Sequence, residues 1–223
     1  MFFARRNKKL LDRELIGLKF ANPVGLFEPS ANLKKCSRSH FGAAFITLTA
    51  PKKDILDWIS NLQKIREKTI LAVNLRWDIV RSFSLVYDFA DFIIIDPNSD
   101  NGISSPDISD TAQLLDEIVN LRLCYERYTP ILLRLCNEDT PEEIHPLVSC
   151  ARLCGLDGIV APNPGKVRIT LEECLSRMPV IGVAGTPEEA LEELQYGAHL
   201  VETSLRPLAL ARLMKLLKKQ TSP

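Results

Sequence analysis

The chain has 223 residues, 46% of them hydrophobic and 25% charged, which suits one substantial core and is short for two domains. Its 28 basic and 28 acidic residues balance to zero net charge. That argues against nucleic acid as the main partner, because phosphate binding calls for a basic surface. No apolar run approaches the roughly 18 residues of a membrane helix, so a cytoplasmic protein with no membrane partner is expected.

Residues 1–11 read MFFARRNKKLL. The charges precede no long apolar region, so a solvated leader is expected rather than a signal peptide or a membrane-surface anchor. Cys36, Cys124, Cys136, Cys150, Cys154 and Cys174 have no secretory context and read as reduced thiols. Cys150 and Cys154 share a face of a predicted helix, but two further ligands at metal-site spacing are missing. Packing is the reading, and no metal is expected.

Eight β-rich runs follow in chain order: Pro23–Phe27, Ala43–Thr49, Thr69–Leu75, Asp91–Asp96, Pro130–Leu135, Gly158–Ala161, Pro179–Ala184 and His199–Thr203. Most are continuously apolar, as parallel strands buried on both faces are. Helical patterns alternate with them near residues 32–41, 53–67, 77–89, 110–126, 140–154, 169–177, 187–196 and 207–219. In the fourth, Leu114, Leu115, Ile118, Val119, Leu121 and Leu123 make the apolar face. Thr140-Pro141-Glu142-Glu143 and Thr186-Pro187-Glu188-Glu189 each supply an N-cap Thr, Pro at the first helical position and Glu at the third.

Eight β/α units predict a single α/β domain, a (β/α)8 TIM barrel, with a doubly wound open sheet as the alternative. The strands' C-terminal ends, where such barrels build sites, carry Glu28, Thr47, Thr49, Asn74, Arg76, Asp96, Asn98, Ser99, Arg134, Asn163, Gly185, Thr203 and Ser204. This ring suits a small polar ligand at the barrel mouth or, equally, strand ends that simply meet water and cap helices. Pro97–Asp110 is the longest polar loop and the candidate lid.

Several segments carry a resemblance, in order, over nearly the whole chain: LIGLKFANPVGL at 15–26, FITLTAP, ILAVNL, DFIIIDPNSDN, ILLRL, GLDGIVAPN and VIGVAGTPEEALEELQYGAHLVE. Together they resemble the dihydroorotate dehydrogenase family. The resemblance implies an N-terminal β-hairpin at the barrel bottom, bound FMN, and oxidation of dihydroorotate in pyrimidine synthesis, with hydride passing to the flavin. A homodimer is a further expectation.

Position by position, the resemblance puts Ser99 at a catalytic Ser; a local turn bond is its alternative role. Asn74, Asn101 and Asn163 match substrate-contacting amides, and Asn32 takes the place of a substrate-binding Lys. For Asn74 and Asn163, capping is an equal reading. Arg134 replaces a Lys near the flavin ring, with an ion pair to Asp96 or Glu28 as the alternative. Thr47, Gly185 and Ser204 fall on the cofactor side, and Gly185 also suits strand–helix packing. His40, His145 and His199 receive no catalytic role.

There are departures from the family pattern. Phe27-Glu28-Pro29 stands where small residues should let backbone approach a flavin, and Asp96 replaces an Asn. The phosphate-binding segment before the seventh strand is missing. Weak or absent FMN binding and no efficient dihydroorotate oxidation are therefore expected. Three readings remain open: an altered flavin oxidoreductase, a degenerate non-flavin barrel acting as a binding or partner protein, and a phosphate-handling barrel enzyme.

Overall fold

In the computed structural model, which describes residues 11–28, 42–98, 107–175 and 177–220, the first element is an antiparallel hairpin. It joins β1 (Arg13–Leu15) to β2 (Leu18–Phe20), with Leu15 paired to Leu18. The two-residue loop puts Ile16 at φ 48° and Gly17 at φ 76°. Positive φ at both positions gives the tight turn whose twist matches the strands.

Eight parallel strands then close a barrel: β3 (Val24–Glu28), β4 (Phe45–Thr49), β5 (Ile70–Leu75), β6 (Phe92–Ile95), β7 (Ile131–Arg134), β8 (Gly158–Ala161), β9 (Val180–Ala184) and β10 (Leu200–Thr203). The last strand pairs with the first, Val201 opposite Val24. All eight predicted strands are present within a residue or two, and the closed barrel decides against an open sheet.

The helices are α1 (Ile55–Ile59), α2 (Leu62–Arg66), α3 (Ile79–Val86), α4 (Ile108–Arg122), α5 (Pro141–Leu153), α6 (Pro164–Cys174), α7 (Pro187–Tyr196) and α8 (Pro207–Gln220). The helix expected over 32–41 lies outside the described residues. Three others differ from expectation. The 53–67 segment breaks into α1 and α2, where the Ser60 hydroxyl (2.7 Å) and the Asn61 amide (3.2 Å) both donate to the Asp57 carbonyl; such side chains compete with the helix ladder. The 169–177 segment starts five residues earlier, at Pro164, because Asn163 caps it. In α4, Leu115 and Ile118 are buried as expected, but Leu123 lies beyond the helix end and is exposed.

Two apolar clusters hold these layers together. One packs the outer faces of the strands against the helices. The other fills the barrel's lower interior, where Phe20 of the hairpin meets Phe45 and Phe92 edge-on, ring centroids 5.6 and 6.4 Å away. Gly25 makes room for this plug, since a Cβ there would stand 2.2 Å from the Phe45 ring. The hairpin thus covers the barrel bottom, and the site must lie at the other end.

One buried carboxyl belongs to the wall rather than the mouth. Glu193 of α7 has no exposed surface and packs onto Gly182 of β9; a Cβ on Gly182 would meet its Oε2 at 2.1 Å. Burial raises its pKa to about 8, aided by Glu189, Glu202 and Glu192, while the Val183 amide pulls the other way. The ordinary value is 4.5, so between these two limits the folded chain keeps a proton that the unfolded chain has released. The stability tied to this proton is complete below the lower value and is lost as pH rises to the upper one. Glu193→Gln should therefore remove a downward slope of melting temperature between about pH 5 and about pH 8. Thermal melts across that range check it, and an unchanged slope in the variant contradicts it.

Candidate functional site

Inward positions on the strands alternate with outward ones, so above Phe45, Ala72, Ile94, Leu132 and Leu200 the next inward residues are Thr47, Asn74, Asp96, Arg134 and Glu202. All five are at least nine-tenths buried. The apolar lower barrel therefore gives way to a polar layer at the mouth.

Arg134 organises that layer. Its Nη2 donates to Glu202 Oε1 of β10, across the barrel. Its Nε donates to Asn74 Oδ1 at 3.0 Å, and its guanidinium carbon lies 4.9 Å from the centroid of the Phe27 ring. Asn74 passes the polarity on, because its Nδ2 donates to Asp96 Oδ2 at 3.2 Å. Asn98 Nδ2 donates to the other oxygen, Asp96 Oδ1, at 2.7 Å. A cation buried here needs this anion and these acceptors to offset its lost hydration.

The ion pair foreseen for Arg134 therefore exists with a different partner. Glu202 takes it, not Asp96 or Glu28, because Asn74 stands between Arg134 and Asp96. Sequence reasoning missed Glu202. Its signal was a charge at an inward position of a strand buried on both faces.

The remaining predicted residues go separate ways. Asn163 caps α6, its Oδ1 accepting from the Lys166 amide at 3.0 Å and its Nδ2 donating to Asn137 Oδ1 at 3.0 Å; this is the capping role. Lys166 itself ties to the Asp139 and Cys136 carbonyls. Thr47 is buried in the barrel, and its Oγ1 has no partner among the described residues. Ser204 is exposed just beyond β10, where the Leu205 amide donates to Thr203 Oγ1 at 3.3 Å. Ser99, Asn101 and Asn32 lie outside the described residues, as does most of the candidate lid.

Gly185 bears on a cofactor phosphate. Its N–H donates to Glu189 Oε2 at 2.8 Å, while the Glu189 amide donates to the N-cap Thr186 Oγ1 at 3.1 Å. In the first of the two predicted capping boxes, the Glu143 carboxylate turns back to the N-cap amide of Thr140, 2.7 Å away. In the second, the carboxylate reaches one residue further, to Gly185. It occupies the strand-end amide that a phosphate would use and places a negative charge at the helix N-terminus. Phe27, near the end of β3, brings a bulky ring to the mouth, where it lies against Arg134. These residues do not fit the FMN that the resemblance implies.

Metal chemistry finds no better purchase. Among the described residues no cluster of three or more His, Cys, Asp or Glu could hold an ion. Burial, together with neighbouring Cys154, pushes the Cys150 thiol up to about 11, so it stays neutral and serves packing. No helix among the described residues is long and apolar enough to cross a membrane.

The fold and the mouth define a (β/α)8 barrel with a charged, hydrogen-bonded layer at the strands' C-terminal ends. No family model matches the chain. It is 23% identical over 266 aligned residues to a dihydroorotate dehydrogenase (quinone) of Christiangramia forsetii, covering 86% of this chain and 78% of that protein. A second protein of the same name, from Dichelobacter nodosus, is 26% identical over 93 residues, 39% of this chain and 28% of that one. Ligand-free DHODH from Eimeria tenella superposes with a TM-score of 0.75 at 18% identity, covering 97% of this chain and 90% of that one. An aldolase named QR15 reaches 0.64 at 15% identity, covering 88% and 94%, so the fold alone does not choose a chemistry. The ordered motifs and these likenesses support a divergent member of the dihydroorotate dehydrogenase family.

Removing one partner of a buried ion pair strands the other. Arg134→Met should therefore cost about 3–5 kcal/mol of stability. The double change Arg134→Met with Glu202→Leu should recover most of it. Urea denaturation of both variants checks this, and equal losses would refute the coupling.

Proposed function

We propose that the chain is a dihydroorotate dehydrogenase-like barrel whose mouth no longer carries out flavin-dependent oxidation and instead binds a small polar ligand. The observation that carries this reading is the closure of the Gly185 amide by the chain's own Glu189. A dianionic phosphate needs free N–H groups or cations around it; here the amide is taken, and Glu188 is committed to Arg212 at 2.7 Å. Arg134, the cation of the inward layer, is bound to Glu202.

Dihydroorotate meets the same difficulty. It carries a carboxylate, and Arg134 of the inward layer is already neutralised by Glu202, with Asp96 nearby. Asn32, where the family has a Lys, supplies no charge. Losing a charge-assisted bond costs roughly 1.5–3 kcal/mol of affinity, about tenfold to a hundredfold. We further propose that the protein is cytoplasmic, and that neither nucleic acid nor membrane is its partner.

A second reading, an FMN-dependent dihydroorotate dehydrogenase, is favoured by the 86% of this chain that aligns with the Christiangramia forsetii enzyme. Ser99, Asn74 and Arg134 would then serve it. The two readings part on one measurement. The purified full chain should be colourless, take up no FMN in a micromolar titration, and leave dihydroorotate unoxidised with FMN in excess. Stoichiometric flavin absorbance, or turnover on the order of 1–10 per second, would establish the second reading and end the first.

A further inference from the structure

On the outside of the barrel, α4 and α5 leave between them a groove of about 550 Å3. Ile108 and Ala112 of α4 form one apolar wall, and Pro146 and Leu153 of α5 form the other. Two thiols, Cys150 and Cys154, open onto the same groove, and both are only partly buried. Residues four apart on a helix are neighbours on its surface, with Cβ atoms roughly 5–6 Å apart. Cys154 caps α5 in helical conformation, so that spacing holds to the helix end. Cys154 also adds to the burial that keeps the Cys150 thiol protonated at neutral pH. Among the described residues the lining holds no third strong ligand, since His145 is paired with Glu173. The groove therefore presents two neutral thiols and an apolar surface, side by side.

We infer that this groove binds trivalent organoarsenicals of the arsonous class, R–As(OH)2, with Cys150 and Cys154 as the two sulfur ligands and the apolar walls around R. Trivalent arsenic makes three bonds. Two go to sulfur and one to carbon, which matches what the groove presents. Two As–O bonds break and two As–S bonds form. The thiol protons leave with the hydroxyl groups as two waters, and nothing is oxidised or reduced. The product is neutral, which suits a site whose burial opposes thiolate charge. A bis-thiolate complex of a soft cation would bring that charge, and zinc would need two further ligands. Because the helix already holds both sulfurs, closing the ring through arsenic adds little ordering cost. Inorganic arsenous acid keeps a hydroxyl against the apolar walls and is the poorer fit. The site stands apart from the barrel mouth and does not depend on how the mouth is read.

The test treats the full chain, reduced and freed of small thiols, with phenylarsonous acid and weighs it intact by native mass spectrometry. One adduct per chain is expected, formed with loss of two waters. It should resist excess mercaptoethanol, a monothiol, and yield to the dithiol dimercaptopropanol. Competition with that dithiol should show binding at least tenfold tighter than that of inorganic arsenous acid. Cys150→Ser and Cys154→Ser should each weaken binding at least tenfold, whereas Cys124→Ser, at an exposed thiol outside the groove, should leave it unchanged. Cys154→Ser lies at the helix end, so it reads the site even where Cys150→Ser fails to fold. Leu153→Asp, at an exposed position, should cut the advantage over inorganic arsenous acid below threefold with both thiols intact. An adduct that survives both Ser variants, no adduct on the native chain, or inorganic arsenous acid binding as tightly as the phenyl compound each overturns the inference.

Discussion

The Arg134–Glu202 ion pair sets the terms for everything around it. A guanidinium at the inner end of β7 has left water, and the low-dielectric barrel charges heavily for that unless an anion and acceptors stand close. Glu202 answers from the opposite side, and Phe27 lays its ring against the cation. Asn74 must then turn its carbonyl oxygen to Arg134, which leaves its NH2 pointing at Asp96. Asp96 in turn fixes Asn98. One buried cation thus orients the polar layer residue by residue.

The two ends of the barrel solve opposite problems. At the bottom, Phe20, Phe45 and Phe92 fill the lumen with rings, and Gly25 gives up its side chain so that they fit. Nothing polar needs a partner there. At the top the same lumen is filled by charges and amides, whose arrangement is directional. Packing closes one end, while hydrogen-bonding groups gather at the other, which is where a barrel of this type meets its ligand.

Much of this was legible in the residues. Continuous runs such as FIII and ILLR announce strands buried on both faces, and their eightfold alternation with helices dictates a closed barrel. Thr140 and Thr186 mark helix starts because Thr-Pro-Glu-Glu permits few other geometries. The partner choices were not legible. Asn163 could cap or bind, and only the position of Lys166 decides for capping. Arg134 needed an anion, but whether Glu28, Asp96 or Glu202 supplies it depends on strand tilt and register around the whole barrel. Ser60 and Asn61 broke a predicted helix through bonds to one carbonyl, a competition too local for periodicity to reveal.

Three acidic residues gather around β9, and that placement ties the site to the fold. Glu189 and Glu193 on α7 and Glu202 on β10 surround β9, one at the strand-end amide, one behind the wall at Gly182, one inside the lumen. Each can be there for its own structural reason: a helix start, a glycine-sized recess, a buried arginine. Their fields nevertheless add, as the upward shift of Glu193 shows by responding to both Glu189 and Glu202. A phosphate arriving at the end of β9 would meet Glu189, since Glu202 is paired with Arg134 and Glu193 keeps its proton near neutral pH.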